Sequence, residues 1–350
     1  MADQDKAHEP LSGTGSVATV LPDEALMVRA AWGYYVEGLT QNEIGRKLGL
    51  NRVRVNRILA QARERGIVQV RVNSALSVET EAALERKFGL DQAVVVPTPD
   101  DAASIPQMIA TAAGAVLSDR IGDGMSVGVG WGRTLRLSVR SVERRVVRDL
   151  SVVSLLGGLT RGSVMNVYET ASRLADVYDA QCFYIAAPVF ADTEETAQVL
   201  RSQSGVRDAF AHARNIDIAL MSVGSLHHDA TMRQLGLISE PDVKSLLEAG
   251  AVGDFCAHWI DANGDVIDHS LNRSVLAMSL DDLRHVPTVI LASGGDDKIT
   301  VLRAALQRKT VSVLVTDEVT AKKLLLPDQV TKIRCRGPAG LFSRDMVFGD

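Results

Sequence analysis

Between residues 93 and 315, short apolar segments alternate with amphipathic segments of helical period. The apolar segments predict strands at 93–96, 125–129, 151–156, 182–186, 216–223, 287–292 and 311–315. Several of them run into glycine turns, namely Gly128-Val129-Gly130-Trp131-Gly132, Gly157-Gly158, Gly224 and Gly294-Gly295. A repeated strand, glycine turn and helix is typical of an open α/β sheet that binds ligands at the carboxyl ends of its strands. We therefore predict an α/β fold with an open sheet for this part of the chain.

The composition favours a globular protein of two domains. The 350 residues are many for one domain and comfortable for two. The 46% hydrophobic content is ordinary, and no apolar run nears the roughly 18–20 residues of a membrane-spanning helix. The N-terminus lacks the pattern of a secretory signal, and Cys182, Cys256 and Cys335 form no Cys-x-x-Cys pair or Cys/His cluster. We expect a cytoplasmic protein with buried, reduced thiols and no structural zinc.

The N-terminal part begins with a segment that has no periodicity and continues with a helix. Residues 1–21 mix glycine, serine, proline and charge, and we expect them to form a disordered tail. From Pro22 the pattern becomes helical, and Gly38 ends the helix. The apolar face of this helix is predicted to consist of Leu26, Ala30, Trp32 and Val36.

Two further helices and a wing are predicted directly after it. Thr40 and Glu43 form a Thr-x-x-Glu capping box for the second helix, and Asn51 can cap the third. Gly66 is expected to end the third helix, and the alternating segment at 67–72 predicts a wing strand. The inward positions of the two helices are predicted to be Ile44, Leu48, Leu50, Val55, Ile58, Leu59 and Ala62.

These two helices and their tight turn have the pattern of a winged helix-turn-helix, whose second helix enters the major groove of DNA. The predicted groove-facing side chains are Asn51, Arg52, Arg54, Asn56 and Arg57. Arginine suits guanine edges and phosphates, and asparagine suits adenine. Thr40 and Gln41, at the start of the preceding helix, are placed to hold a phosphate.

The charge distribution supports a DNA partner although the whole chain carries −5. Residues 23–72 carry nine basic and five acidic side chains, which gives +4, whereas residues 73–350 carry −7. A small basic module joined to a large acidic domain is typical of a protein in which one domain touches phosphate. The alternative is a three-helix module whose basic face contacts only solvent and binds no DNA. Similar modules also occur in sigma factors and recombinases. The large second domain favours a ligand-gated regulator.

Several sequence blocks follow one another in a specific order and spacing. They are LTQNEIGRKLGLNRVRVNRIL, GVGWGRTL (128–135), SLLGGLTR (154–161), VGDFC (252–256), LNRSVLAMSLDDLRHVPTVILASGGDDK (271–298) and TDEVTAKKLL (316–325). With these blocks the chain resembles the SorC (sorbitol/sorbose operon) family of transcriptional regulators. The resemblance covers roughly residues 22–345, and GRTL and SLLGGLTR are most similar to polyol regulators of the erythritol type. It implies a helix-turn-helix domain at 22–74, an effector-binding α/β domain at 75–350 of phosphosugar-isomerase-like fold, and a homo-oligomer, usually a tetramer.

The resemblance also implies an effector pocket for a sugar, a polyol or a sugar phosphate. The turn with Gly130, Gly132, Arg133 and Thr134 matches the family's phosphate-binding turn, although many members have threonine or serine in place of Arg133. Glycines free backbone N–H groups at a helix N-terminus, which suits an anion, but such a turn can also serve strand-to-helix packing alone. The remaining residues that the resemblance assigns to the pocket are Gly157, Gly158, Asn166, Asp254, Arg273 and Lys298.

Some alternatives stay open at this point. Each of three predicted pocket residues has a structural alternative. Arg273 either lines the pocket or only pins a loop, Asp254 either binds the effector or only stabilises a turn, and Lys298 either binds the effector or faces solvent. His227, His228 and Asp229 are adjacent, but without further ligands nearby in sequence they predict a surface loop rather than a metal site. We expect no cofactor, no metal and no membrane partner. A phosphosugar isomerase or deaminase with an accessory DNA module is the alternative function, and turnover would distinguish it.

Overall fold

The structure, a computed structural model, describes residues 23–65, 67–68, 77–159 and 167–327. The chain divides into two units, residues 1–71 with 140–142 and residues 72–139 with 143–350. Within the described ranges, no helix is long and apolar enough to cross a membrane. The predicted tail at 1–21, most of the predicted wing, Arg161 and Asn166 lie outside the described residues.

The first unit contains three helices, α1 (Asp23–Tyr35), α2 (Gln41–Leu48) and α3 (Arg52–Glu64). Their shared core consists of Met27, Ala30, Ala31, Ile44, Val55, Ile58, Leu59 and Ala62, with Leu26, Leu39, Leu48 and Leu50 packed at its border. Both predicted caps are confirmed: Thr40 and Glu43 form the capping box of α2, and the Asn51 side chain accepts the Arg54 N–H at the start of α3. The inward positions predicted for α2 and α3 are confirmed as well.

The predicted apolar face of α1 is partly wrong. Ala30 is buried and Leu26 packs at the border of the core, as predicted, but Trp32 and Val36 are exposed. The buried face consists of Met27, Ala30 and Ala31, which follow the i, i+3, i+4 spacing of one helix face. Trp32 and Val36 therefore point to solvent rather than into the core.

The second unit is built on parallel strands. The strands are β1 (Gln92–Val96), β2 (Ser126–Val129), β3 (Ser151–Ser154), β4 (Gln181–Phe183), β5 (Ile218–Met221), β6 (Val223–Gly224), β7 (Gly253–Phe255), β8 (His258–Ile260), β9 (Thr288–Ala292) and β10 (Val313–Asp317). A seven-stranded sheet has the order β1-β10-β9-β5-β2-β3-β4, and each neighbouring pair is parallel. Every residue of β5 and β10 is buried, as expected for a parallel sheet covered on both faces. The open α/β sheet is thereby confirmed.

The helices of this unit alternate with the strands. They are α4 (Val78–Phe88), α5 (Ile105–Arg120), α6 (Arg133–Arg140), α7 (Val167–Tyr178), α8 (Glu194–Ser202), α9 (Ser204–Arg214), α10 (Thr231–Gln234), α11 (Glu240–Glu248), α12 (Ser270–Ser274), α13 (Ile299–Gln307) and α14 (Glu318–Leu325).

Each predicted strand corresponds to a strand of the structure, with bounds that differ by a few residues. The segment predicted as one strand at 216–223 is two, because the chain leaves the large sheet after β5 and joins a small antiparallel sheet through β6. The β7–β8 hairpin of that small sheet was not predicted. It places Asp254 opposite Gly224, next to the end of β5.

Candidate functional site

The side chains of α3 divide cleanly into a buried and an exposed set. Val55, Ile58 and Leu59 are buried against α1 and α2. The exposed residues include all the positions predicted to face the DNA groove, together with Val53 and Arg63; the predicted positions are Asn51, Arg52, Arg54, Asn56 and Arg57. The first two turns of the helix therefore present the guanidinium groups of Arg52, Arg54 and Arg57 to solvent, as a recognition helix does.

The two predicted phosphate holders at the start of α2 differ in what they can offer. The Thr40 hydroxyl donates to the Glu43 carboxylate at 2.7 Å and accepts the Glu43 N–H at 3.3 Å. The hydrogen bonds that the carboxylate accepts from the Thr40 hydroxyl and from the Thr40 N–H lower the pKa of Glu43, so a negative charge lies at the helix N-terminus, where it repels a phosphate. Gln41 is different, because its Oε1 lies 3.4 Å from Arg52 Nε, beside the exposed face of α3. Thr40 thus caps the helix, whereas the Gln41 side chain is not used for capping and remains a candidate for a phosphate contact.

The turn between α2 and α3 forms a concavity that the sequence did not indicate. It has a volume of about 610 Å³ and is lined by Asn42, Gly45, Arg46, Gly49, Leu50, Asn51 and Arg52. Asn42 and Arg46 are new candidates for the DNA-facing surface. Their spacing of four residues, which puts them on one face of α2, was the signal that could have revealed them.

In the second unit, the strand order creates a topological switch point between β2 and β5. The chain goes from β2 to β3 on one side and from β5 to β9 on the other. At this point the Gly130 N–H donates to the Leu220 carbonyl at 2.9 Å, so the turn after β2 lies against the end of β5. Ligands of open α/β sheets bind in such a crevice.

The predicted phosphate-binding turn lies at this switch point. Gly132 has a φ of +125°, which favours glycine, and α6 begins directly after it at Arg133. The first bond of α6 joins the Arg136 N–H to the Gly132 carbonyl at 3.0 Å. The N–H groups at the start of a helix have no acceptor within the helix, and such an end is chemically suited to an anion. Thr134 is buried and Arg133 is exposed, with its Nη2 3.4 Å from the Ala103 carbonyl.

Asp254 is a buried carboxylate at the same end of β5. A Cβ atom on Gly224 would collide with Asp254 Oδ1, and Asp254 Oδ2 accepts the Ala257 N–H at 3.2 Å. Burial raises the pKa of Asp254 to about 6, while the Ala257 hydrogen bond and the charge of Lys298 oppose that rise. The carboxylate can therefore exchange its proton close to neutral pH.

Lys298 is half-buried and directly precedes α13. Its burial lowers the pKa of the ammonium, and the nearby carboxylates of Asp297 and Asp254 oppose that shift. Asp297 also accepts a 2.8 Å hydrogen bond from the buried Ser225 hydroxyl, just after β6. Ser225 and Asp297 were not predicted as site residues, although Asp297 stands next to Lys298 in the Gly-Gly-Asp-Asp-Lys run.

The second predicted glycine turn has a packing role. The Gly157 N–H donates to the Leu276 carbonyl at 2.8 Å, and the Gly158 N–H lies 2.9 Å from both the Ala187 carbonyl and the Tyr168 hydroxyl. A Cβ atom on Gly157 would lie 2.5 Å from the Ala187 oxygen. These amides are engaged within the protein, so the turn permits close backbone approach rather than offering free donors to an anion.

Arg273 makes contacts of the kind expected of a residue that pins a loop. Its guanidinium forms ion pairs with Glu194, at 3.2 Å, and with Asp268. The neighbouring Asn272 accepts the Trp259 N–H at 2.8 Å and donates to the Ile267 carbonyl, which fixes the segment after β8.

His227, His228 and Asp229 lie together in an exposed loop, as predicted. Their ligand atoms are within 4.8 Å of one another, and His228 Nε2 is 3.0 Å from the Asp229 carboxylate. Exposed neighbours of this kind are common without a metal ion.

Comparison with known proteins identifies both parts of the chain. A profile of the sugar-binding domain family matches residues 73–326, and one of sigma-70 region 4 matches residues 22–65. The chain is 32% identical to the erythritol catabolism regulatory protein EryD of Brucella abortus, over 87% of this chain and 97% of that protein. It is 31% identical to the deoxyribonucleoside regulator of Bacillus subtilis, over 86% and 97%.

Solved structures agree with these relatives. The full-length sorbitol operon regulator SorC of Klebsiella pneumoniae superimposes with a TM-score of 0.69 at 25% identity, over 87% of this chain and all of that one. A DeoR family transcriptional regulator of Listeria monocytogenes gives 0.66 at 26% identity, over 71% of this chain and 99% of that one. The chain therefore belongs to the SorC family of transcriptional regulators, in which a helix-turn-helix segment precedes a sugar-binding domain.

Proposed function

We propose that this regulator binds the operator of a carbohydrate or polyol catabolic operon and that a sugar, polyol or sugar phosphate gates it. The single observation that carries the effector proposal is Asp254, a buried carboxylate near the amine of Lys298 at the switch point of the sheet. A carboxylate and an ammonium each bind hydroxyl groups in several directions, which suits a polyhydroxylated ligand. The names of the erythritol and deoxyribonucleoside relatives support the same ligand class.

The operator-binding surface is proposed to be the exposed face of α3. Arg52, Arg54, Asn56 and Arg57 contact base edges or phosphates there, and Gln41 contacts a phosphate from α2. Thr40 and Asn51 contribute mainly as caps, because their side chains hold the first turns of α2 and α3. The domains are proposed to be 22–74 and 75–350, and a dimer or tetramer is expected since one helix-turn-helix binds only one half-site.

The effector site is proposed to combine two groups of residues. Gly130, Gly132, Arg133 and Thr134 bind the phosphate or the terminal hydroxyl, and Asp254 and Lys298 bind the remaining hydroxyls. Asn166 stays a predicted contact. Gly157 and Gly158 shape the wall, and Arg273 supports it from a distance through its ion pairs.

Ligand-induced thermal shift across polyols, sugars and their phosphates tests this proposal. A compound that binds only the native state adds about 2.7 kcal/mol at a hundredfold excess over Kd. We expect at least one polyhydroxylated compound to stabilise the wild type and the Asp229→Asn control, and to have no effect on Asp254→Asn. A response of Asp254→Asn equal to that of the wild type would remove Asp254 from the site.

Lys298 raises the question of a covalent bond to the effector. A polyol has no carbonyl, so Lys298 can only donate hydrogen bonds to it, whereas an aldose phosphate can form an imine with an amine of lowered pKa. We favour the polyol and expect an unchanged protein mass after borohydride reduction with effector present. A mass adduct that is absent from Lys298→Met would show the imine.

A catalytic role is the second candidate, favoured only by the shifted pKa values of Asp254 and Lys298. Pentose and hexose phosphates incubated with the protein test it. We expect no conversion, and turnover that is lost in Asp254→Asn would instead show an isomerase or deaminase.

A further inference from the structure

Helix α1 carries a stripe of exposed apolar side chains. Twelve large apolar residues are exposed within the described part of the chain, and five of them lie between residues 28 and 36. Val28, Trp32 and Val36 follow one another at intervals of four residues, and Tyr35 borders them. We call these four residues the α1 stripe. Its side chains are 47%, 58% and 60% exposed at the three main positions, so most of this apolar surface is in water.

The α1 stripe lies on the solvent-exposed side of the helix. An adjoining face buries Met27, Ala30 and Ala31 in the shared core of the three helices. Val36 continues the helical turn, because its N–H donates to the Trp32 carbonyl at 2.9 Å. The stripe is thus a regular, continuous helix surface, and isolated exposed apolar residues do not form such a surface by chance.

We propose that the α1 stripe pairs with the same stripe of a second copy of this chain when both are bound to one operator. The proposal rests on operator binding by α3, because a two-fold operator needs two recognition helices one helical turn apart. A two-fold contact brings the same patch of each copy together. Because the stripe is on α1 and the exposed arginines are on α3, pairing through the stripe uses none of Arg52, Arg54 and Arg57, which remain available for DNA.

The spacing of the stripe suits an antiparallel helix pair. With Trp32 of both copies at the two-fold axis, Val28 of one copy meets Val36 of the other, since each is four residues from Trp32. The contact positions carry no charge, so pairing desolvates no ion. Two tryptophans at the centre provide the kind of aromatic anchor that dominates interface energetics.

The size of the stripe indicates when this contact forms. It exposes roughly 400 Å² per copy, or about 800 Å² for the pair, whereas stable interfaces bury about 1,200–2,000 Å². The stripe therefore does not hold two copies together by itself. It acts once DNA or the larger domain has brought them close, and it then makes binding to two half-sites cooperative.

The test uses full-length protein and a duplex selected by the wild type from random DNA. The same duplex with one half-site scrambled serves as the single-site probe. We expect Trp32→Glu and Val36→Glu to lose tenfold or more in affinity for the intact duplex and less than twofold for the scrambled one. Val199→Glu is the matched control, because Val199 on α8 is also a valine with 60% exposure, and it should change neither affinity.

Hydrogen exchange over residues 23–65 verifies that the helix-turn-helix of each variant stays folded, and Val36→Lys serves as a second, milder variant. An unchanged affinity for the intact duplex, or an equal loss on both duplexes, would overturn the pairing. If deletion of residues 1–21 caused the same loss, the stripe would bind that segment rather than a second copy. If the variants bound both duplexes like the wild type and were defective only in transcription with RNA polymerase, the stripe would bind the polymerase rather than a second copy. A wild type that selects no duplex would instead refute operator binding.

Discussion

Arg52 and Arg54 lie in the first turn of α3, where recognition helices contact base edges. Both side chains are exposed, and the Arg54 N–H is already held by the Asn51 cap, so the backbone at this point is fixed. If either guanidinium binds guanine in bidentate fashion, its replacement by alanine costs about 1–3 kcal/mol and relaxes specificity at one base pair. Competition binding of Arg52→Ala and Arg54→Ala on selected and random duplexes measures this. An equal loss on both would reduce the contact to a phosphate, and no loss would contradict the assignment of α3.

Burial and the proposed ligand favour opposite protonation states of Asp254. Burial raises the pKa of this carboxyl from 3.8 to about 6, so the folded state favours the protonated acid. The resulting stability is fully present below pH 3.8 and is lost as the pH rises through 6. Ionised Asp254 is the better acceptor for hydroxyl groups, so effector affinity should rise over the same interval. At neutral pH, the ionised form of Asp254 therefore lowers the free energy of unfolding and is also the form that accepts hydrogen bonds best.

Asp254→Asn should remove both effects. We expect the variant to be more stable than the wild type by about 3 kcal/mol at pH 7.5 and by less than about 1 kcal/mol at pH 4, from denaturant unfolding. His258, whose pKa is lowered to about 4 by burial, titrates in both proteins and cancels from the difference. A difference that does not depend on pH would mean that Asp254 is not a buried titrating acid.

Among the elements, α2 depends on a glycine for its contact with the following turn. A Cβ atom on Gly45 would lie 2.5 Å from the Leu50 carbonyl oxygen, a backbone atom that cannot move aside cheaply. Gly45→Ala should therefore destabilise the helix-turn-helix by about 1–3 kcal/mol and weaken operator binding. Gly205 in α9 has no neighbouring atom within 4 Å, and Gly205→Ala should stabilise its helix by about 0.5–1 kcal/mol.

Hydrogen exchange of full-length protein checks this pair of substitutions. Gly45→Ala should raise exchange within residues 23–65, and Gly205→Ala should leave that segment and the affinity for DNA unchanged. Protection equal to the wild type in Gly45→Ala would mean that the turn relaxes without cost.

The elements also show where sequence patterns suffice. Caps such as Thr40–Glu43 depend on residues three apart, so the sequence predicts them directly. The β7–β8 hairpin was missed because its strands have three residues each, and its turn has Cys256 and Ala257 at φ of 53° and 61° rather than asparagine or glycine. On α1, periodicity predicted the helix and placed Leu26 and Ala30 on the core side, but it wrongly added Trp32 and Val36 and missed Met27 and Ala31.

At the scale of the whole molecule, the sequence could predict an open α/β sheet but not its strand order. β5 returns beside β2 after β3 and β4 have been added on the other side, and only that return creates the switch point. Gly130, Asp254 and Lys298 are far apart in sequence, and their residue types alone do not bring them together. Gly157 and Gly158 are the opposite case. They match the family's glycine turn in sequence, but in the structure their N–H groups are hydrogen-bonded to Leu276, Ala187 and Tyr168.

If the proposed effector site controls the proposed operator-binding surface, the coupling between the two must be reciprocal. If the effector changes operator affinity by some factor, operator DNA must change effector affinity by the same factor. Asp254→Asn and Lys298→Met should bring both factors to one while leaving operator affinity without effector at the wild-type value, because in our proposal the effector acts only by favouring one conformational state of the protein. Asp229→Asn, an exposed loop residue, should keep both wild-type factors. Titrations of effector with and without DNA, and of DNA with and without effector, measure all four affinities. A loss of operator binding in the absence of effector would show that Asp254 and Lys298 hold the fold together rather than sense a ligand.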